Sequence, residues 1–459
     1  MSGRLSIVLH THMPYVEGFG TWPFGEEWLW EAMATSYLPL LDVLDAAPGR
    51  VTLSLTPVLC DQLEAPGVAE RFLAFLRELR PETHRRDIAA AEDPALAREL
   101  ERSAGLYAAA AERFEARGGN LAGALAPHAA WTSSATHAVL PLLATAAGVR
   151  LQLGAGIASH RRRFGHWDGG LWLPECAHAP WLDPLLEEAG VHAACVDLTD
   201  VLGHGAPAQL RPLRSDAGPL LVPIDRALMD LVWHTSGYPS AGAYRNTRRY
   251  TEHRHTPWAV DGSPYEPARA AEQVRAHARD FAAAAARRLE RGGLAVCALD
   301  TELLGHFWHE GVDWLAAAIE ACDAAGVELA GLDTALAEVE PVAAPAELPA
   351  TSWGEPRDLA TWSAPPAAEL AWRAREAELR VLSSGGGHPG ARALRELLAL
   401  QASDWAFGVT RQTAGPYSRA RADGHAADLE RALADPAGIG PSLRNLAPSL
   451  DLSNPRLQG

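Results

Sequence analysis

Residues 5–14, LSIVLHTHMP, decide the fold: a short, mostly apolar run leads directly into two histidines separated by Thr11. A buried run of this length that ends in polar side chains is typical of a strand in a parallel sheet. Alternate residues of a strand face the same way, so His10 and His12 are expected to point together at the end of this strand. No G-x-G-x-x-G turn follows the run, which disfavours a dinucleotide-binding sheet.

The same arrangement recurs along the chain. Short apolar runs end in chemically active side chains and alternate with helical patterns, at residues 51–55, 171–173, 192–196, 220–222, 294–299 and 327–332. Active side chains placed repeatedly after strand ends predict an α/β barrel whose site lies at the C-terminal face of its strands.

The remaining segments divide the chain into parts. We predict a catalytic barrel over residues 1–340, a Pro-rich linker over 341–366 and a C-terminal helical domain over 367–459. Within the barrel, residues about 61–125 have the composition and spacing of a helical insertion. Residues about 229–267 show no period, and a loop this long inside a compact domain is usually functional, so we expect a mobile loop there.

Composition narrows the partners. The formal charge is −17, which disfavours nucleic acid and anionic membrane surfaces. All basic residues are arginine, so lysine chemistry such as a Schiff base is excluded. The five cysteines are scattered without C-x-x-C spacing and no secretory leader is evident, which favours a cytoplasmic protein. The oligomeric state is not indicated.

Tryptophan is over-represented, with 15 Trp against 8 Tyr and 9 Phe. Large flat rings stack on the apolar faces of sugars as well as filling cores. The excess is therefore a hint of a carbohydrate ligand.

Two acidic residues follow apolar runs directly. Glu175 ends the stretch 170–175, GLWLPE, and Asp300 opens the stretch 300–311, DTELLGHFWHEG. Glycoside cleavage requires such a pair of carboxyl groups, one ionised and one protonated. We expect a neighbouring carboxylate to keep Asp300 protonated by like-charge repulsion.

The histidines of the first strand allow three interpretations. They are ligands of a metal, as in barrel hydrolases and deacetylases that open with H-x-H, or donors to sugar hydroxyls, or satisfied core residues. The motif alone does not choose between them.

Taken together, the motifs resemble those of glycoside hydrolase family 57, and within it the α-1,4-glucan branching enzymes. Residues 10–14 are similar to the opening H-x-H-x-P motif, 172–175 to the W-L-P-E motif, and 300–311 to D-x-E-L-x-G-H-x-W-x-E-G. Residues 133–143 and 403–407 are similar to two further motifs, the second from the helical domain.

The resemblance implies a distorted, TIM-like (β/α)7 barrel, a retaining mechanism without metal or cofactor, and an α-1,4-glucan as both substrate and acceptor. It makes Glu175 the nucleophile and Asp300 the acid/base of a 1,4-α-glucan branching enzyme active in glycogen biosynthesis. The expected substrate-binding residues are His10, His12, His137, Trp28, Trp172, Tyr238, Trp258, His306, Trp308, Asp404 and Trp405. Trp22 lies in the same Gly-rich stretch as Trp28 and is a further candidate to shape the donor site.

Rival functions remain open at this point. An α-amylase or a 4-α-glucanotransferase would use the same fold and the same two carboxylates. A metal-dependent amidohydrolase or deacetylase accounts for H-x-H but not for W-L-P-E, and a catalytically silent glucan-binding protein has no need of both carboxylates.

Tyr238, in the stretch SGYP of the long loop, is expected to close over the cleft and exclude water.

Overall fold

A computed structural model describes residues 3–20, 24–215, 217–383, 390–435 and 445–450. The predicted sugar contact Trp22 and much of the C-terminal tail lie outside these ranges. Among the helices described, none is both long and apolar enough to cross a membrane.

All ten strands of the described residues belong to one sheet. Its strands are β1 Arg4–Thr11, β2 Val51–Leu55, β3 Ala129–Ser133, β4 Gly170–Trp172, β5 Ala193–Val196, β6 Leu213–Arg214, β7 Leu220–Pro223, β8 Leu294–Asp300, β9 Glu328–Leu329 and β10 Val342–Ala343.

Seven parallel strands follow one another around a barrel, in the order β8, β1, β2, β3, β4, β5 and β7. After β7, the backbone N–H of Asp225 donates to the carbonyl of Val296 in β8 at 2.8 Å, which joins the two ends. The short β6 pairs antiparallel with β7, β10 extends β6, and β9 lies beside β1. The predicted (β/α)7 barrel is thereby confirmed.

The prediction from the sequence was wrong for one barrel strand. The run 327–332 forms only the two-residue β9, because Leu332 already begins a helix. The missing strand is β3, whose sequence AAWTS has too little apolar contrast to stand out. The predicted loop 229–267 also begins too early, since a helix continues to Trp233 and several backbone hydrogen bonds organise residues 237–265.

Helices cover the barrel. Those within the first 340 residues are Glu26–Ala32, Leu38–Ala46, Pro57–Leu63, Val68–Ala74, Arg80–Ala90, Pro94–Ala116, Leu121–Leu125, Ala146–Phe164, Asp183–Glu188, Thr199–Leu202, Arg226–Trp233, Pro267–Arg288, Gly311–Ala324 and Leu332–Leu336. The π-helical turns Met33–Tyr37 and Phe75–Leu79 make two of the junctions continuous. The helices of residues 57–125 fill the predicted insertion.

The C-terminal part is helical, over Ala360–Ser363, Ala368–Ser383, Ala391–Leu400, Ser403–Arg411 and Tyr417–Ala434. It contacts the barrel at the end of β3, where the N–H of Ser403 donates to the carbonyl of His137 at 3.1 Å. Residues of the Pro-rich segment also touch the barrel, since Thr351 forms a β-bridge with His178. Side chains from both segments therefore reach the C-terminal ends of the strands.

Candidate active site

A cleft opens at the C-terminal ends of the barrel strands. Its volume is 1510 Å³, larger than the roughly 300–1,000 Å³ of a typical small-molecule pocket. The barrel, the insertion helices and the C-terminal helices all line it. A cleft of this size suits a polymeric ligand.

The two histidines of the opening motif lie on the floor of the cleft. His10 is a residue of β1, and the strand register places it beside Ser54 of β2 and Asp300 of β8. His12 follows β1, and its Nε2 lies 3.1 Å from both carboxylate oxygens of Asp404. Alternation along the strand brings both rings to the same opening, as predicted.

Glu175 follows β4 in a strained turn. Its φ of 62° is in the left-handed region, as are those of Cys176 and His137. A non-glycine residue in this region costs about 1–3 kcal/mol, and such strain clusters at functional sites. The backbone of Trp353 holds the turn, because its N–H donates to the carbonyl of Glu175 at 2.9 Å.

Two side-chain donors hold the Glu175 carboxylate. The indole Nε1 of Trp353 donates to Oε2 at 2.8 Å, and Oγ of Ser403 donates to Oε1 at 2.9 Å. Burial raises the pKa of Glu175, while these two hydrogen bonds oppose the rise. A carboxylate that accepts two fixed hydrogen bonds is suited to act as an oriented nucleophile.

Asp300 ends β8 in a different environment. Burial, together with the negative charges of Glu302, Glu175 and Asp404, holds the pKa of Asp300 well above its ordinary value. Burial likewise raises the pKa of Glu302 to about 7. Glu302 accepts a hydrogen bond from Tyr37 at 2.6 Å and one from the N–H of His12 at 3.1 Å. Asp300 is thus suited to remain protonated while Glu175 is ionised.

The histidines differ in charge. Burial and the nearby His12 hold the pKa values of His10 and His137 well below normal, so both rings are neutral. Burial alone would also lower the pKa of His12, but Asp404, Glu302 and Glu175 raise it overall. Of these three histidines, His12 is therefore the one whose charged form is favoured by the surrounding carboxyl groups.

The structure brings together most of the predicted site residues. The cleft is lined by His10, His12, Trp28, His137, Glu175, Asp300, His306, Asp404 and Trp405.

Four predicted substrate contacts are placed elsewhere. Trp172 and Trp308 are buried in the core, where the Trp172 ring stacks on His10 at 4.7 Å. The guanidinium of Arg249 lies over the ring of Trp258, with its central carbon 4.1 Å from the centroid of that ring. None of the three is part of the cleft lining.

Tyr238 is the fourth, and it does not lie over the cleft. Its ring stacks on His277 at 4.2 Å and its hydroxyl donates to Asp280 at 2.7 Å. The turn Tyr238–Ser240 packs on the helix Pro267–Arg288, which provides both the ring on which Tyr238 stacks and the acceptor of its hydroxyl. The expectation that Tyr238 gates water is not met by this placement.

Sequence reasoning missed three groups around the carboxylates, namely Trp353, Ser403 and Glu302. Glu302 had a signal, because it stands two residues after Asp300 in a motif that was recognised. Ser403 precedes Asp404 in another recognised motif, whereas Trp353 lies in the Pro-rich segment without any local mark.

The raised pKa of Asp300 predicts a pH-dependent stability difference. Its folded-state pKa lies above the ordinary 3.8, so the native state binds more protons and loses stability as pH rises above that value. We expect Asp300→Asn to be more stable than wild type at pH 8, with the gain shrinking as pH falls toward 4. Denaturant unfolding at several pH values measures the difference in the free energy of unfolding, and a difference that does not change with pH would contradict a raised pKa at Asp300.

A parallel barrel with two half-buried carboxyl groups at the C-terminal ends of its strands is an arrangement typical of enzymes that cleave glycosidic bonds. Sequence comparison agrees. The profile of glycosyl hydrolase family 57 matches residues 130–346, and that of the 1,4-alpha-glucan branching enzyme C-terminal domain matches residues 390–438.

Relatives extend the match over nearly the whole chain. A probable 1,4-alpha-glucan branching enzyme of Mycobacterium tuberculosis is 34% identical over 97% of this chain and 94% of its own length. The 1,4-alpha-glucan branching enzyme of Thermococcus kodakarensis is 30% identical over 94% of this chain and 73% of its own. The crystal structure of a branching enzyme of this family from Pyrococcus horikoshii superposes with a TM-score of 0.86, at 31% identity, over 98% of this chain and 94% of that chain. The chain belongs to glycosyl hydrolase family 57, as its motifs indicated.

Proposed function

We propose that this protein is a 1,4-α-glucan branching enzyme that works by retention. The observation that supports this proposal most directly is a pair of half-buried carboxyl groups in different environments: two side-chain donors hold Glu175, whereas desolvation and neighbouring carboxylates raise the pKa of Asp300 well above its ordinary value. The relatives that match nearly the whole chain are named as branching enzymes, which supports the choice of reaction.

The reaction proceeds in two displacements. Glu175 attacks the anomeric carbon of an α-1,4 bond while Asp300 gives its proton to the departing 4-oxygen, so a shortened glucan leaves and a glycosyl ester forms. Asp300, now ionised, takes the proton of an incoming 6-hydroxyl as that oxygen displaces Glu175. Two inversions leave the α configuration unchanged and create an α-1,6 branch.

The neutral histidines and the aromatic walls are suited to hold the sugar. His10 and His137 line the cleft floor, and their Nε2 atoms are hydrogen-bonded to each other at 2.9 Å. A sugar hydroxyl would bind these rings by replacing that hydrogen bond. Trp28 presents a half-buried ring to the same cleft, whereas Trp405, 2% exposed, packs in the core of the C-terminal helices directly behind the cleft wall. In this proposal the two histidines and Trp28 fix the ring at the cleaved bond.

The nearest rival is an α-amylase or a glucanotransferase that uses the same two carboxyl groups. Each tenfold change between transfer and hydrolysis needs only about 1.4 kcal/mol between two barriers. An α-amylase of Thermotoga maritima shares the fold with a TM-score of 0.80 at 24% identity. Product linkage separates these reactions, because only branching makes α-1,6 bonds.

The test is incubation with amylose, followed by enzymatic debranching and chain-length analysis. A branching enzyme converts the long chains into a branched product that releases short chains only after debranching, with little gain in reducing ends. Short chains and reducing ends before debranching would instead identify an amylase, and new long linear chains a glucanotransferase.

The metal-dependent rival has a definite site to examine. One nitrogen or oxygen from each of His12, His137 and Asp404 lies within 4.8 Å of the others, as metal ligands would. Each of these groups is already hydrogen-bonded, His12 to Thr56 and Asp404, and His137 to His10 and Ser403. This pairing supports a site that works through hydrogen bonds.

We therefore expect exhaustive chelation to leave activity on amylose unchanged and elemental analysis to find no stoichiometric zinc. His10→Ala should lower the turnover while the protein still folds, because a hydrogen-bonding group at the reacting sugar is lost. Stoichiometric metal combined with inactivation by the chelator would favour the amidohydrolase reaction.

We further propose a cytoplasmic role in glycogen biosynthesis. The five cysteines are all unpaired and buried, which suits a reducing compartment. The acceptor would be glycogen or a similar α-glucan.

A further inference from the structure

The Glu175 carboxylate is held by a residue that the C-terminal helices bring to the barrel. Ser403 begins the helix Ser403–Arg411 and is 3% exposed. Its Oγ lies 2.9 Å from Oε1 of Glu175 and 2.8 Å from Nδ1 of His137. Its backbone N–H also donates to the backbone carbonyl of His137 at 3.1 Å, so both the backbone and the hydroxyl of Ser403 are held against His137.

The chemistry of the partners fixes the direction of this hydrogen-bond chain. An ionised carboxylate only accepts, so Ser403 donates to Glu175 and accepts from Nδ1–H of His137. A neutral imidazole has one donor and one acceptor, which leaves Nε2 of His137 as the acceptor of Nε2–H of His10, 2.9 Å away. The chain therefore runs one way, from His10 through His137 and Ser403 to Glu175.

We propose that Ser403 is a positioning residue for the nucleophile: its hydroxyl, oriented by His137, fixes Oε1 and with it the plane of the Glu175 carboxylate. The proposal rests on the proposed function, because it assumes that Glu175 attacks the sugar. It gives the C-terminal helices a part in catalysis beyond covering the cleft. Without their docking, one of the two side-chain donors to Glu175 would be absent.

The consequence is measurable as a pH profile. A hydrogen bond to the ionised form favours ionisation, so its removal raises the pKa of Glu175. The acid limb of kcat/KM, which reports this ionisation in the free enzyme, then moves to higher pH. The other titratable groups that face Glu175 stay in place in the variant; they are His12, His137, Cys176, Asp300 and Asp404.

The experiment compares Ser403→Ala, Ser403→Thr and the control Ser418→Ala with wild type on amylose across pH. Ser418 has a hydroxyl of similar burial, 4% exposed, on the neighbouring helix Tyr417–Ala434, and no hydrogen bond among the described residues joins it to Glu175. Ser403→Ala is expected to lower kcat about 10- to 100-fold, the loss of a hydrogen bond to a charged group. KM should change little and the acid limb should move to higher pH. Ser403→Thr should restore both kcat and the position of the acid limb, and Ser418→Ala should change neither of them.

Several outcomes would overturn the proposal. They are a wild-type turnover in Ser403→Ala, a loss with an unmoved acid limb that threonine does not rescue, or an equal loss in the control. If Ser403→Ala does not fold, Ser403→Cys replaces the hydroxyl by a thiol of similar volume that is only a weak donor. It should likewise lower kcat and move the acid limb to higher pH. A wild type that is itself inactive on amylose would instead count against the proposed function.

Discussion

Glu175→Gln is expected to fold normally and to lose activity on amylose by about four orders of magnitude or more, as when a catalytic nucleophile is removed. The amide has the same shape and its oxygen can still accept from Trp353, but it cannot form the glycosyl ester. Release of reducing ends and formation of α-1,6 bonds should fall together, because both pass through the same intermediate.

The matched control is Glu355→Gln, since Glu355 lines the same cleft and, among the described residues, no hydrogen bond or ion pair joins its side chain to Glu175 or Asp300. It should retain turnover close to that of wild type. A Glu175→Gln enzyme with a tenth of wild-type turnover would remove Glu175 from the nucleophile's role.

Asp300→Asn should lower turnover of amylose by about 10²- to 10⁴-fold, the usual contribution of a general acid. A sugar oxygen leaves poorly without a proton, whereas fluoride leaves an activated α-maltosyl fluoride without one. The first displacement on the fluoride should therefore survive in the variant, and the second, which needs a base, should be slow. Added azide needs no base and should accelerate turnover of the fluoride.

Asp313→Asn provides the control, because Asp313 also lines the cleft and its pKa is also raised by burial. It should behave like wild type on both substrates. Equal losses of Asp300→Asn on amylose and on the fluoride, without azide rescue, would contradict an acid/base role.

The barrel and its reacting carboxyl groups were predictable because they depend on local patterns. Short apolar runs marked six of the seven barrel strands, and the rule that sites lie at strand ends selected Glu175 and Asp300. β3 was not predicted because Ala129 and Ala130 are weakly apolar and the strand is short. The residues at its end, 133–143, were recognised only through the family resemblance.

The surroundings of the carboxyl groups were not predictable in the same way. Trp353 and Ser403 reach Glu175 from 178 and 228 residues away, and no local spacing reports such contacts. Aromatic content was also a poor guide, since the tryptophan side chains of Trp172 and Trp308 fill the core. Composition suggests a sugar ligand but does not tell which rings meet it.

The central claim, that cleavage passes through a glycosyl ester on Glu175, is tested most directly by mass spectrometry of Asp300→Asn incubated with α-maltosyl fluoride. The account predicts a protein heavier by one maltosyl group, with the modification on the peptide that contains Glu175 and none in Glu175→Gln. An adduct on another residue, or consumption of the fluoride with inversion at the anomeric carbon and no adduct, would contradict it.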